Sequence, residues 1–463
     1  MDDKVQRDQE KRQARRKRRI RNQLIAYVVM ILMILAVAAG VVFGIRFVKE
    51  YAQRQEAQDN HENGNMQQGN QSMNEGESLN QDENANQDAI EQILASEEDI
   101  VKPPEPTPEI TEPTPEQILD QEINARIEVM SLEDKVAGLF FVTPEAITKV
   151  GNAVKAGEGT REALAQYAVG GLIYFGNNIQ SEEQLREMLK NTAQYAKYPL
   201  FLGVDEEGGS VARIASAGIG TKVDGAGVIG TTGDPTNAYQ AGVTIGSTLA
   251  GIGFNLDFAP VADLANVEGS VMAGRSYGAE ASAAADYVAS MMAGLEEQKV
   301  LACLKHFPGI GSSTEDTHNG RATTDRTLEQ FQAEEFAVFR AGIEAGADMI
   351  MVSHMEAPGL TDNMEPCVFS RRLVTEILRE EMGFEGIIIT DALNMKAISD
   401  FYGADEAAVM AILAGCDMLL MPEDFEKAYN GVLQAIAEGH ISEERVDDAL
   451  RRIYKVKYGS KLS

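Results

Sequence analysis

Residues 300–318 read VLACLKHFPGIGSSTEDTH. A short apolar run ends in Lys305 and His306, and a glycine-rich loop then delivers Asp316, Thr317 and His318. The chain has only five histidines, and two of them fall here. An apolar strand that stops at a Lys-His pair reads as one wall of a ligand site, because charged groups at the end of a buried strand are costly unless paired or functional. Asp316 stands two residues before His318. Alternate residues of an extended segment face the same way, so the carboxylate and the imidazole can share a proton.

Other apolar runs end in the same manner. The third run, 199–204, stops at Asp205 and continues EEGGSVAR to Arg213. The fourth, 255–262, stops at Asp263, and its loop carries Gly274-Arg275-Ser276. The sixth, 348–353, stops at His354, and the seventh, 386–390, at Asp391. Each residue also has a plain structural reading. Asp391 would serve as the cap of the segment ALNMKAI, Arg213 and Arg275 as ion-pair partners, His318 as an ordinary loop histidine, and His354 as a histidine behind the site rather than in it. What favours chemistry is the convergence of these groups at equivalent places. No GxGxxG or P-loop pattern appears, so the glycines read as turn formers. HExxH and HxH are absent, and Lys305 among these acids opposes a divalent ion, so we expect no metal and no cofactor.

The elements that must bring these residues together are eight apolar runs: 138–142, 169–175, 199–204, 255–262, 300–304, 348–353, 386–390 and 417–421. Near-continuous apolar runs of this length fit parallel strands buried on both faces. Amphipathic segments lie between most of them. In 181–197, for example, Ser181 and Gln184 form a capping box, and Leu185, Met188, Leu189 and Thr192 line one face. Eight strand–helix units over residues 119–463 predict an α/β fold, a (β/α)8 TIM-like barrel, with a doubly wound open sheet as the alternative. In such a barrel, ligands are held at the carboxyl ends of the strands, which is where the polar residues above fall.

The rest of the chain has a different character. Residues 24–45 are uncharged and apolar over 22 positions, enough to span about 30 Å of hydrocarbon. The basic segment 1–23 precedes them. Residues 1–21 hold ten Lys/Arg against four Asp/Glu, a net of +6, which leaves −37 of the total −31 on the remainder. The positive-inside rule makes 24–45 a signal anchor, single-pass in the cell membrane, with the catalytic domain extracellular. A cleaved signal peptide is the rival, but its apolar core would be shorter. Residues 46–118, rich in Asn, Gln and Glu and then in Pro, have the composition of a disordered linker. A domain this acidic is a poor partner for nucleic acid. Three cysteines without CxxC spacing predict buried free thiols, not a disulfide framework.

KHFPGxG followed by DTH resembles the β-N-acetylglucosaminidase (β-N-acetylhexosaminidase) branch of glycoside hydrolase family 3. GGLIYFGNNI, VDEEGGSVARI, FNLDFAPVAD, GRSYG and IIITDALNMKAI follow the family's order across about residues 125–460. The resemblance implies a retaining mechanism with Asp391 as nucleophile, His318 as general acid and then base, and Asp316 as its dyad partner. It also implies that Asp205, Arg213, Arg275, Lys305 and His306 bind the sugar. The implied substrate is an N-acetylglucosamine-containing glycan, a muropeptide released in peptidoglycan turnover. Ile310 stands where the family often has a second histidine, and Asn319-Gly320 replaces a bulkier continuation. If Lys305 and His306 both grip one sugar, the strand must be irregular there, because neighbours in a regular strand face opposite ways.

Four other activities remain open at this stage. A family 3 β-glucosidase normally draws its acid from a later domain, which a sequence ending at Ser463 is not expected to supply, and the DTH loop would have no role in one. A phosphorylase would use phosphate in place of water. A non-enzymatic surface sugar-binding barrel would need no Asp391 or Asp316–His318 pair. A metal-dependent barrel hydrolase would gather Asp205, His306, His354 and Asp391 about an ion.

Overall fold

The computed structural model describes residues 113–361 and 363–459. The expected basic segment, the membrane span at 24–45 and the linker as far as residue 112 lie outside the described residues. Among the described residues, no helix is long and apolar enough to cross a membrane. The first helix, Pro115–Glu128, starts inside the segment expected to be linker. Thr114 caps it and Gln117 completes a capping box, with Pro at the first turn. Ile123 and Ile127 are buried, and Glu116 and Asn124 bond Lys455 and Arg451 of the last helix, Glu443–Tyr458. The proline-rich composition hid a well-formed helix start.

Eight parallel strands form the sheet at the centre: β1 (Phe140–Val142), β2 (Gly171–Ile173), β3 (Phe201–Val204), β6 (Leu256–Asp257), β7 (Leu301–Phe307), β8 (Met349–Val352), β9 (Ile387–Thr390) and β10 (Leu419–Leu420). β4 (Glu206–Gly208) and β5 (Val211–Ala212) make a small antiparallel hairpin beyond β3. The spatial order is β10, β1, β2, β3, β6, β7, β8, β9. β9 returns to β10 through a single Ile389–Met418 bridge, so the sheet is a nearly closed barrel and not an open one. Helices lie between successive strands, among them Glu182–Tyr195, Thr236–Ile252, Ala281–Glu297 and Ala404–Ala414. The Ser181–Gln184 capping box is present. All eight expected runs hold a strand. β7 extends past the expected end at 304 through Lys305, which pairs with Met351, and His306, which the ladder skips.

Phenylalanines pack the β1–β3–β6 side of the barrel. Phe141 stacks on Phe201 and meets Phe258 edge-on. Gly171 and Gly203 make room for it. A Cβ on either would come within 2.5 or 2.8 Å of the Phe141 ring. Cys303, Cys367 and Cys416 are buried free thiols, as expected.

The thin β9–β10 seam has a charged clasp. Asp417, fully buried just before β10, accepts the Ile388 N–H and bonds Arg379 at 2.7 Å and Arg452 at 3.1 Å, with Arg445 at 3.6 Å. Arg379 also donates to the carbonyls of Phe384 and Gly386. Removing the single carboxylate leaves three guanidinium groups with only backbone carbonyl acceptors and no counter-charge among the described residues, so Asp417→Asn should lower unfolding free energy by about 3 kcal/mol. A shifted urea midpoint with unchanged slope would check it.

Candidate active site

The strands deliver their polar residues to one mouth. A pocket of about 300 Å³ is lined by Asp205, Glu207, Arg213, Arg275, Lys305, His306, His318 and Asp391, with Ile173, Phe175, Val211, Met351, Met395, Leu420 and Met421 as its apolar walls. Seven of the eight residues expected at the site line it. Asp316 stands directly behind His318. The pocket lies at the small end of the usual range for small-molecule sites, which suits a single sugar ring.

At its floor, Lys305 Nζ sits between Asp205 Oδ1 and Glu207 Oε1, 2.7 Å from each. Arg275 grips Glu207 with two donors, Nη2 at 2.6 Å and Nε at 2.8 Å. Burial alone would drive the Glu207 carboxyl up, but Lys305 and Arg275 outweigh it and hold it down at about 2. Burial works against the Lys305 and Arg275 cations too, and the neighbouring carboxylates keep both more firmly protonated than usual. The cluster fixes the loops after β3 and β6 to the end of β7.

The strand irregularity demanded by the Lys-His pair is present. The pairing of β7 with β8 shifts register between Lys305 and Phe307, and the Lys305–His306 peptide is cis. Both side chains line the pocket. Asp263 Oδ2 sits 2.7 Å from His306 Nδ1 and accepts the His306 N–H, while its other oxygen accepts the Ile310 N–H at 2.6 Å. One buried carboxylate thus orients the ring and starts the following loop.

Asp391 follows β9. Its backbone N–H bonds Val352 O, and its Oδ1 accepts the Ala392 N–H at 2.7 Å. It caps no helix, since the next one, Lys396–Ser399, begins after Met395. Burial pushes its carboxyl up, but His306, His354, the Ala392 N–H and His318 together bring it below the ordinary aspartate value. His354 is buried outside the pocket lining, and burial lowers its basicity. Its Nε2 lies 3.0 Å from Ala392 O. Its Nε2–H donates there and holds the backbone beside Asp391.

On the long loop after β7, Asp316 Oδ1 lies 2.8 Å from His318 Nδ1 and accepts the His318 N–H at 2.9 Å. Burial opposes ionisation of Asp316, but the His318 backbone and ring hold its carboxyl below the usual range. The dyad is the open part of the site, with the His318 side chain 66% and the Asp316 side chain 43% exposed.

Sequence reasoning missed Glu207 and gave Asp263 no role. The signal for Glu207 was available: it stands two residues after Asp205 on an extended segment, the same spacing that paired Asp316 with His318. Glu206, the intervening residue, faces the other way, and its carboxylate accepts the N–H groups of Ile214 and Ala215.

Residues 131–456 match the Glycosyl hydrolase family 3 N terminal domain. Beta-hexosaminidase A of Pseudoalteromonas piscicida is 31% identical over 326 residues, which cover 64% of this chain and 54% of that protein. Beta-hexosaminidase of Nitrosomonas eutropha is 32% identical over 277 residues, 58% of this chain and 78% of that protein. The solved structure of a glycoside hydrolase family 3 beta-N-acetylglucosaminidase from a Paenibacillus species superposes with a TM-score of 0.67 at 34% identity, covering 71% of this chain and 63% of that one. The chain thus spans about half the length of the first of these relatives.

The charge cluster has a pH signature. The folded value of Glu207, about 2, lies below the 4.5 of a free glutamate. Its stabilisation is therefore complete above pH 4.5 and is lost as pH falls toward 2, on the order of 3 kcal/mol in all. In urea unfolding across that window, wild type should lose this much more stability than Glu207→Gln.

Proposed function

The chain belongs to glycosyl hydrolase family 3, and on that premise we propose that it is a retaining exo-β-N-acetylglucosaminidase releasing terminal β-linked N-acetylhexosamine from peptidoglycan fragments. The observation that carries the reading is a strand-end aspartate, Asp391, and an aspartate-backed imidazole, His318, opening on one sugar-sized pocket. Asp391 attacks the anomeric carbon while His318 gives its proton to the departing glycosidic oxygen. The C–O bond to the aglycone breaks, and a glycosyl ester forms on Asp391. The now neutral His318 takes a proton from water, whose oxygen attacks the anomeric carbon and releases Asp391. Two displacements at one carbon retain its configuration. Asp316 stabilises the imidazolium form and fixes the ring orientation. Lys305, His306, Arg275, Arg213 and Asp205 hold the sugar hydroxyls.

A histidine suits this role because its ordinary pKa of about 6.5 permits exchange near neutrality. It also adds no negative charge beside an acidic aglycone such as a muramic acid residue. The Lys305 ammonium between Asp205 and Glu207 supplies the positive charge that a metal-centred reading would ask of an ion. The names of the relatives support N-acetylhexosamine over glucose.

Asp391→Asn should abolish release of 4-nitrophenol from its N-acetyl-β-D-glucosaminide. The 2-hydroxy analogue should be a far poorer substrate than the N-acetyl compound. His318→Ala should slow natural glycans at least ~100-fold while sparing activated aryl glycosides, which need little protonation. Equal losses on both would contradict the assigned role. Product release unchanged by added phosphate would favour hydrolysis over phosphorolysis.

We extend the proposal to location: residues 24–45 anchor the chain in the cell membrane, with the barrel outside. Activity should then sediment with membranes and act on a membrane-impermeant substrate supplied to intact cells. Activity confined to the soluble cell extract would refute the anchor.

A further inference from the structure

The loop that carries Asp316 and His318 is exposed over much of its length, yet the dyad acts only if the imidazole stays at the pocket. Several contacts fasten the loop. Glu315 accepts the Thr323 N–H at 3.0 Å, closing its neck. Thr323 and Glu356 form an isolated bridge, flanked by bonds from Glu356 N to Ala322 O and from Thr324 N to Glu356 O. Ala397 N bonds Thr317 O at 3.3 Å. These are backbone contacts or lie within the loop, and most hold its far end.

One side chain ties the loop to two other walls at once. Arg321, three residues after His318, places Nη1 2.9 Å from Glu356 Oε1 and its guanidinium carbon 4.0 Å from the centre of the Phe401 ring. Glu356 follows β8 and its side chain is 1% exposed. Phe401 lies beyond β9, on the segment that starts with Asp391, and is 51% exposed. An aromatic ring that open contributes little to the core. Its close partner is the loop's arginine, at a distance where a cation over a ring is attracted.

We propose that Arg321, clasped between Glu356 and Phe401, is a positioning residue that holds the acid/base loop so that His318 faces the glycosidic oxygen. The proposal deepens the reading above and rests on it. Arg321 touches no reacting atom. It joins the loop to the walls that flank Asp391, so the two halves of the reaction keep one spacing. Glu356 alone would be a poor anchor: burial and the nearby Glu315 raise its carboxyl, and Arg321 opposes this in part, leaving it above the ordinary value. Phe401 supplies a flat platform that lysine cannot use as well.

The test uses the full chain and two substrates, the 2,4-dinitrophenyl N-acetyl-β-D-glucosaminide, whose leaving group needs no proton, and N,N′-diacetylchitobiose, whose leaving group does. Arg321→Ala and Phe401→Ala should each lower kcat/KM on the disaccharide about 10–100-fold and change the aryl substrate less than about threefold. Phe401→Trp should restore the disaccharide rate, because tryptophan is the better partner for a cation, and Arg321→Lys should restore it only in part. Phe401 is exposed, so its variant tests the idea even if Arg321→Ala folds badly. Parallel losses on both substrates, or none on either, overturn the proposal. His318→Ala is the control. If it divides the two substrates while the Arg321 and Phe401 variants do not, the clasp is refuted and the acid/base reading stands. If it does not divide them, that reading fails and the clasp falls with it.

Discussion

Three charged side chains in the barrel mouth, Lys305, Glu207 and Arg275, are mostly or wholly removed from water, and none is tolerable alone. Their mutual geometry is what the rest of the site depends on. Glu207 takes two donors from Arg275 and contacts Lys305, and Lys305 is shared with Asp205. An unpaired ion at such a place would cost several kcal/mol. The network therefore selects one arrangement of the loops after β3 and β6 against the end of β7. The sugar proposed to enter the pocket would meet donors and acceptors already fixed, which spares it the cost of ordering them.

The barrel divides its labour along its axis. At the amino ends of the strands, Asp417 and its arginines clasp the thin seam between β9 and β10, a place where polar networks serve stability. At the carboxyl ends, a similar concentration of charge surrounds an empty volume instead of filling it. Asp391 sits there on a rigid strand end, held by the Val352 carbonyl and the Ala392 N–H. His318, the proposed proton donor, sits on a loop. This asymmetry fits the two tasks proposed for them. A nucleophile must hold one position relative to the anomeric carbon, whereas a donor must let aglycones pass and then meet water from the same side.

Much of this was legible in the sequence, for a physical reason. Parallel strands buried on both faces are apolar almost throughout, so all eight runs could be read, and the residues just past them were the natural candidates. Distant pairings were harder. Asp263 looked like one more acid at a strand end, because nothing local says that its carboxylate reaches His306 and Ile310 across a loop. Glu207 was obscured by its neighbour Glu206, although alternation separates them. The Lys305–His306 pair was the sharpest case. If both side chains were to face one pocket, their adjacency required an irregular strand, and the register shift supplies one. The helix from Pro115 was missed because a proline-rich stretch suggests an extended chain until Thr114 and Gln117 are read as a cap.

The uneven charge of the chain bears on the same site. The residues after 21, with a net of −37, repel anions at long range, yet the muramyl aglycone proposed above is itself an anion. Screening over roughly 8 Å at physiological ionic strength confines that repulsion to the near surface. On the proposed reading, what an acidic glycan would meet at contact is local: Arg213, Arg275 and Lys305 at the sugar, and a histidine where most retaining enzymes place a second carboxylate. An imidazole that is cationic before transfer and neutral after it never presents a negative charge of its own to the leaving group. The acidic surface and the histidine are thus compatible. The one limits nonspecific adhesion to anionic polymers, and the other removes the penalty that a carboxylic acid would impose once it had given up its proton beside an anionic product.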